Sequence, residues 1–492
     1  MSRGGAKPHD RPTAVPPSRS AGRHQWLLQN RVPLIVALAL FMETMDSTIL
    51  STALPVIARD IHAPVLSLKL ALTTYLISLA ALVPASGWIA DRFGAKPVFI
   101  SAMLVFMAGS ALCATQATLL GLILARGLQG MGGAMMVPVG RLIVLRSVPR
   151  KDRIQALSYV VIPALVGPAV GPVVGAAVTI ALGWPWIFLI NLPIGSVAIL
   201  VALRFLPNIK EEARENFDLH GFILSALGLA ALMFGLSASD GGAVPSLVSI
   251  GLVGTGLVLL CAYVVRGRRR DDQLLDVRLL RLRTFSVGIV GSILFRLSGG
   301  AAAFLLPVLF QLGLGLSVLA SGGLSALYAL GALTMRGVAP RILDRFGFRR
   351  VLLLGTAASC ACTAGFGFVH TLFYPALVPL LIVAGFLQAL VFTGVNGLVF
   401  ADVDEAKMSR ATSFSAVTMQ FALSLGIAIP ALVLQLGGSA SSPATLPLAS
   451  FGPPFWTAAA LSMTSLVIFL QLRPTDGDAL RHREQRLRHH WQ

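Results

Sequence analysis

The chain has 492 residues, 55% of them hydrophobic and 12% charged, with a mean hydropathy of +0.80. A soluble protein of this size cannot bury that much apolar surface, so the composition excludes a soluble globular enzyme and points to a polytopic membrane protein. A formal charge of +18 would suggest a nucleic-acid partner in a soluble chain. Here the basic residues flank apolar runs, as loops on one side of a bilayer do, and no nucleic acid is expected.

Residues 1–30 are rich in Arg, Pro and Ser and contain no apolar stretch, so they are expected to form a disordered basic tail and not a cleavable signal. Fourteen apolar segments follow, at about 33–54, 70–90, 97–116, 119–142, 156–181, 186–206, 219–238, 246–266, 285–311, 319–339, 351–370, 373–400, 411–436 and 453–472. Each is long enough to cross a hydrocarbon core of about 30 Å as a helix. The expected fold class is therefore an all-α integral membrane protein. A second basic tail occupies 473–492.

Loops on one side carry Arg92 and Lys96, then Arg146, Arg150, Lys151 and Arg153, Lys210 and Arg214, a run from Arg266 to Arg283, Arg341 to Arg350, and Lys407 with Arg410. The other side carries only Arg59 and Lys69. This asymmetry places both termini in the cytoplasm and requires an even number of spans. Fourteen satisfies it, as would twelve if 219–266 were a re-entrant hairpin.

Glu43 and Asp46 are the only carboxylates inside the predicted spans. A charge in a lipid-facing segment costs several kcal/mol, so one that persists usually faces a protein cavity and has a function. Three residues apart on a helix, the two share a face. A carboxyl group held out of water can act as a reversible proton carrier. Helix rise puts Asp46 roughly 20 Å from the cytoplasmic edge, and Arg126 in the fourth span at roughly the same depth. An Asp46–Arg126 pair is thus expected, either as a proton-released latch or as a static buried ion pair.

Glu43 and Arg296, in the ninth span, both fall near the midplane. Arg296 is expected to face a central cavity, where it can hold an anionic group or pair with Glu43. Gln311, Gln388, Asn396 and Gln420 are polar groups in spans, read equally as cavity lining or as interhelical glue. Cys113, Cys261, Cys360 and Cys362 are read as free thiols, with no disulfide framework or metal site. No HExxH, Gly-Lys phosphate loop or Ser/His/Asp grouping supports an enzyme, and no cofactor is expected.

A loop motif recurs. Gly87-Trp-Ile-Ala-Asp91-Arg92-Phe-Gly94-Ala-Lys96 follows the second span, and Asp344-Arg-Phe-Gly-Phe-Arg-Arg350 follows the tenth. Gly87 is expected to allow close helix approach, Asp91 to cap or pair, Gly94 to turn, and Arg92 and Lys96 to anchor the cytoplasmic side. The spacing gives a six-two-six layout: a six-helix half at 31–206, two additional spans with linkers at 207–284, and a second half at 285–472. In the fifth span, Gly167, Pro168, Gly171 and Pro172 set small residues at i and i+4 with helix-bending prolines between them, the alternative being a generic packing face.

The 87–96 segment resembles the loop signature of the major facilitator superfamily, although Ala95 stands where that family usually has Arg. The 163–175 segment resembles the antiporter motif of the same superfamily. Met45-Asp46-Ser-Thr48 through Leu54-Pro55, Leu124-Ala-Arg126-Gly-Leu-Gln129-Gly130 and Trp184-Pro-Trp186 through Gly195 resemble motifs of the fourteen-span drug:proton antiporters of the EmrB/QacA type. Within that type the chain resembles the MdtD-like multidrug transporters.

The resemblance implies two six-helix bundles plus two extra helices, and a monomer in a bacterial inner membrane. It also implies proton-driven export of small organic molecules by alternating access, with Asp46, Glu43 and Arg126 in proton coupling. A narrower cargo, an organic anion or metal–carboxylate chelate, is the first alternative, and a sensor with a transporter-like fold is another. Any periplasmic adaptor is left open.

Overall fold

A computed structural model describes residues 19–148, 153–210, 217–238, 244–267, 273–335, 337–371, 373–404, 407–437, 446–473 and 476. Most of both expected tails, together with Arg150, Lys151, Arg214, Arg268, Arg269 and Arg270, lies outside the described residues. Among those described there is no β-strand.

The α-helices run α1 (Arg19–Asp60), α2 (Lys69–Leu82), α3 (Ser86–Phe93), α4 (Ala95–Ala114), α5 (Leu119–Ser147), α6 (Arg153–Leu182), α7 (Trp186–Leu189), α8 (Asn191–Phe205) and α9 (Leu219–Ser237). They continue with α10 (Ser246–Gly267), α11 (Arg283–Val308), α12 (Val318–Met335), α13 (Ala339–Phe346), α14 (Phe348–Phe366), α15 (Tyr374–Phe400), α16 (Met408–Gly437), α17 (Gly452–Met463) and α18 (Ser465–Phe469). By length and apolarity twelve of the described helical stretches can cross a membrane. Of the segments expected to span, the other two are α6, whose described apolar part is Val166–Leu182, and α14, which opens on Arg349 and Arg350.

α1 begins at Arg19, so residues 19–30, expected in a disordered tail, extend the first helix. The reason is local: no proline interrupts the chain between Arg19 and Pro33, and the stretch consists largely of residues a helix tolerates. Prolines lie inside α1, α5, α6, α11, α15 and α16, as transmembrane helices tolerate more readily than soluble ones. Just after Pro307, α11 widens into a π turn at Leu309–Gly313.

The repeated loop motif folds the same way twice. The eight-residue helices α3 and α13 each end on a glycine with positive φ, Gly94 at 96° and Gly347 at 76°, before a long helix starts. A side chain is strained in that backbone region, and at Gly94 the Cβ position would fall 2.6 Å from Asn208 Oδ1.

α1 packs on α6, α4 on α5, α2 on α5, α11 on α16, and α12 and α14 on α15. Between the earlier and later helices the main contacts are α6 with α12 and α2 with α16. α9 pairs with α10 and also rests on both α2 and α16. α10 turns Leu247, Ile250 and Val258 outward, an apolar surface suited to lipid.

Let the end bearing Asp91–Gly94 be the basic end. There, two apolar clusters stay separate. One centres on Val36, Phe99, Val139 and Ile143, the other on Phe285, Leu343, Leu352 and Val399. At the opposite end one cluster spans both sets of helices, joining Ile57, Ile61 and Phe188 to Phe304, Phe310, Phe366 and Phe455. The central helices of the two sets are thus joined by apolar packing at the end away from the basic one, while on one flank a further cluster of Ile77, Ala80, Met233, Tyr263 and Val417 ties α2 to α16 through α9 and α10.

The α12–α15 crossing depends on Gly331 and Gly385, whose Cβ positions coincide with the carbonyls of Ile382 and Tyr328. Gly385→Val is expected to cost about 1–3 kcal/mol through overpacking. The purified protein should then unfold at a lower temperature in a detergent thermal-shift measurement.

Candidate functional site

Asp46 is fully buried in the middle of α1, and Arg126 from α5 is buried against it. Arg126 NH1 donates to Asp46 Oδ2 at 2.6 Å, the depth match that helix rise predicts. Gln129 Nε2 and Asn191 Nδ2 each donate to Asp46 Oδ1 at 2.8 Å. Arg126 NH1 also donates to Gln129 Oε1 at 2.6 Å. Ser110 accepts from both amides and donates to the Phe188 carbonyl. The guanidinium carbon lies 4.5 Å from the Tyr75 ring centre and 5.8 Å from that of Phe188, a cation–π arrangement. Both carboxylate oxygens are thus satisfied by α5 and α8, and the charge is matched within the same layer.

Glu43, one turn away on α1, has a different setting. It is 8% exposed, and its Oε2 has no hydrogen-bond partner. The Tyr75 hydroxyl stands beside it and interacts with the carboxyl, and Arg141 of α5 is the nearest influential cation. No described basic group lies within ion-pairing distance of Glu43.

Arg296 does not pair with Glu43, in contrast to one expectation from depth. Its Nε donates to Ser292 Oγ at 2.8 Å, and its guanidinium carbon sits 4.1 Å from the Phe392 ring centre. The two groups share a depth, but α11 presents Arg296 to α15 while α1 presents Glu43 to α2 and α5. Arg296 is 6% exposed and helps to line a cavity of about 380 Å³. Ser47, Thr48 and Ser51 of α1, Pro168 and Pro172 of α6, Tyr328 of α12, and Gln388 and Phe392 of α15 line it too. A cavity of this size, mostly apolar with a few convergent polar groups, suits a small organic ligand.

The remaining polar candidates separate. Gln388 is on the cavity wall and accepts from Ser359 and Ser298. Gln311 lies in the π turn and donates to the Thr52 carbonyl of α1 at 2.9 Å, tying α11 to α1. Asn396 and Gln420 are half-buried and are not among the cavity-lining residues.

In the loop motif, Asp91 Oδ1 accepts from Arg146 NH1 at 2.7 Å, and Lys96 donates to the Leu203 carbonyl at 2.7 Å. Arg92 is exposed. Gly87 is exposed, and nothing lies within 4 Å of its Cβ position, so the expected close helix approach is not made there. The helix tightens into a 3₁₀ turn at Val83–Ala85 just before it. Close approach is instead made by Gly167 and Gly171 of α6 against Thr44 and Thr48 of α1.

A family model described as Major Facilitator Superfamily matches residues 36–427 and 288–491. The chain belongs to the Major Facilitator Superfamily. It is 38% identical over 406 residues to "Putative multidrug resistance protein MdtD" of Escherichia coli O17:K52:H18 (strain UMN026 / ExPEC), a match covering 82% of this chain and 86% of that protein. The Shigella flexneri protein of the same name matches with the same identity and coverage.

Two solved structures share the major facilitator fold. A D-xylose-proton symporter superposes with a TM-score of 0.65 at 13% identity, covering 91% of this chain and 98% of its own. The human organic anion transporter MFSD10 (TETRAN) superposes with a TM-score of 0.58 at 18% identity, covering 90% and 99%. As a member of this superfamily the chain is a multi-pass membrane transporter and not an enzyme.

Sequence reasoning missed several partners in this major facilitator site. Gln129 and Asn191 were visible only as polar residues inside resemblance motifs. Gln129 lies three residues past Arg126, and that helical neighbour spacing was the available signal. Tyr75 and Phe392, the aromatic faces under the two arginines, carried no signal distinguishing them from packing residues.

Replacing Asp46 by Asn keeps the shape but leaves Arg126 buried without a counter-charge, an imbalance worth about 3–5 kcal/mol. A marked fall in thermal stability is expected for Asp46→Asn. Glu43→Gln, which removes no partner, should unfold near the wild-type temperature in the same assay.

Proposed function

We propose that the protein is a proton-coupled exporter of small organic molecules in a bacterial inner membrane, working by alternating access. Fourteen helices cross the bilayer in this reading, with both termini in the cytoplasm, and the basic end is cytoplasmic. Residues 31–206 and 285–472 form two six-helix bundles that rock about the cavity, while 207–284 supplies two peripheral spans. The protein acts as a monomer.

The observation that carries this reading is the one-sided closure. One apolar cluster joins the central helices of both sets at the outer end, while two separate clusters stand at the inner end and only the α2–α16 flank is bridged there, through α9 and α10. This pattern suits an inward-facing state, with the cavity of about 380 Å³ between them ready to take cargo from the cytoplasm. The relatives named as multidrug resistance proteins support drugs as cargo.

Asp46, Glu43 and Arg126 couple transport to proton entry. Arg296 and Gln388 contribute polar groups to binding, and Gln311 holds α11 to α1. The Asp91–Arg146 pair and the Lys96 contact brace the gating loop within the first bundle at the inner end, with Arg92 and Gly94 shaping that loop, and the Gly167/Pro168/Gly171/Pro172 face lets α6 pivot on α1.

A second reading keeps the fold and narrows the cargo to an organic anion or metal–carboxylate chelate. Arg296 favours it, since no described carboxylate lies within ion-pairing distance of that cavity-lining cation.

Proteoliposome flux tests both. With an imposed pH gradient, the wild type is expected to concentrate ethidium, and collapse of the gradient should abolish the effect. Gradient-independent behaviour, or no flux of either ethidium or fluorescein, counts against the transporter mechanism and for a sensor. If anions are the cargo, fluorescein replaces ethidium as the transported dye. Arg296→Ala should then lower its flux about tenfold or more, the loss of one charge-assisted contact.

A further inference from the structure

We propose that Glu43, and not Asp46, is the carboxyl that takes up and releases the transported proton, with Asp46 serving as a fixed electrostatic anchor beside it. This rests on the proton-coupled reading above and divides the work between its two acidic residues.

The two carboxyls differ in what a proton would disturb. On Asp46 it would displace one of three donors and leave the fully buried Arg126 without a counter-charge. Removing one partner of such a pair is among the most costly changes a buried site can suffer. On Glu43 a proton breaks no ion pair: Oε2 is buried with no hydrogen-bond partner, and the neighbouring Tyr75 hydroxyl can accept from the protonated acid as well as donate to the carboxylate. An unpartnered buried carboxylate oxygen is itself costly, and a bound proton removes that cost by converting it to a neutral hydroxyl or carbonyl.

The cavity wall begins one helical turn from Glu43, at Ser47 on the same face of α1. Arg141, exposed on α5 towards the basic end, is the charged group that acts most strongly on Glu43. A proton arriving from the outer aqueous phase would bind a Glu43 oxygen, and the same proton would leave to the inner phase after the bundles rock. Nothing else is consumed.

Tyr75 is the link between the two acids. Its hydroxyl stands beside Glu43, while the face of its ring carries the Arg126 guanidinium. A change of charge on Glu43 is therefore felt at the Asp46–Arg126 layer across one aromatic ring. The charged and titratable groups facing Glu43 are Asp46 on its own helix, Tyr75 of α2 and Arg141 of α5, with Arg126 behind the Tyr75 ring. Among the described residues, α6, α8, α11 and α12, which also pack on α1, contribute no charged or titratable group to it.

Infrared pH titration of the full chain in phosphatidylcholine vesicles reads the carbonyl stretch of protonated carboxyl groups without any cargo. The wild type should show a titrating signal that Glu43→Gln removes and Asp46→Asn retains. A signal unchanged in Glu43→Gln, or lost in Asp46→Asn while Glu43→Gln keeps it, overturns the assignment. Should Asp46→Asn fail to fold, the wild type against Glu43→Gln decides by itself. In ethidium flux, Glu43→Gln should reduce pH-gradient-driven accumulation at least tenfold while downhill equilibration persists. Full gradient-driven accumulation in that variant also overturns it. A wild type that shows the infrared signal but moves no dye defeats the broader transport reading and leaves the assignment of the titrating group standing.

Discussion

Taking a carboxylate and a guanidinium out of water costs several kcal/mol for each ion, and the cost is recovered only when geometry is good and the remaining polar atoms find partners. At Asp46 both carboxylate oxygens find partners in Arg126, Gln129 and Asn191, with Ser110 bridging the two amides, while Arg126 Nε and Asn191 Oδ1 stay without one. Three helices, α1, α5 and α8, are thereby held in one register, and α4 joins them through Ser110. The arrangement of α1 follows from this, because its buried ion pair fixes which way the helix is rotated.

With α1 so rotated, the rest of its residues acquire their neighbours. Ser47, Thr48 and Ser51 reach the cavity wall, Thr44 and Thr48 receive the glycine face of α6, and Glu43 is left at the Tyr75 edge without an ion-pair partner. The same helix thus carries a saturated acid and an unsaturated one a single turn apart. Burial does not distinguish them; partners do.

The second arginine shows the contrast. Arg126 is neutralised within its layer, whereas Arg296 rests on Phe392 and Ser292 and keeps its positive charge at the cavity. A cation held by an aromatic face and a hydroxyl is stabilised yet still able to accept an anionic partner. The outer apolar cluster and the Gln311–Thr52 contact close the far side of this space, so the polar groups act in an environment walled off at one end.

Much of this was legible beforehand. Helix rise is a constant of the backbone, so counting residues along two antiparallel spans correctly matched Asp46 to Arg126. The same count matched Glu43 to Arg296 in depth, and those two do not meet. Depth is one coordinate, and the other, rotation about the helix axis, is set by packing. The glycines divide likewise: Gly94 and Gly347 turn the chain as their motif implies, because positive φ is a local demand. Gly87 touches nothing, because close approach depends on which helix lies opposite. By itself the sequence determined an all-helical membrane chain, a duplicated loop and the residues bearing charge in the bilayer, all of which follow from local backbone geometry and hydropathy. Only the tertiary structure decided which acid is saturated, which arginine faces the cavity and which end is shut, because those depend on the faces that separate helices turn toward one another.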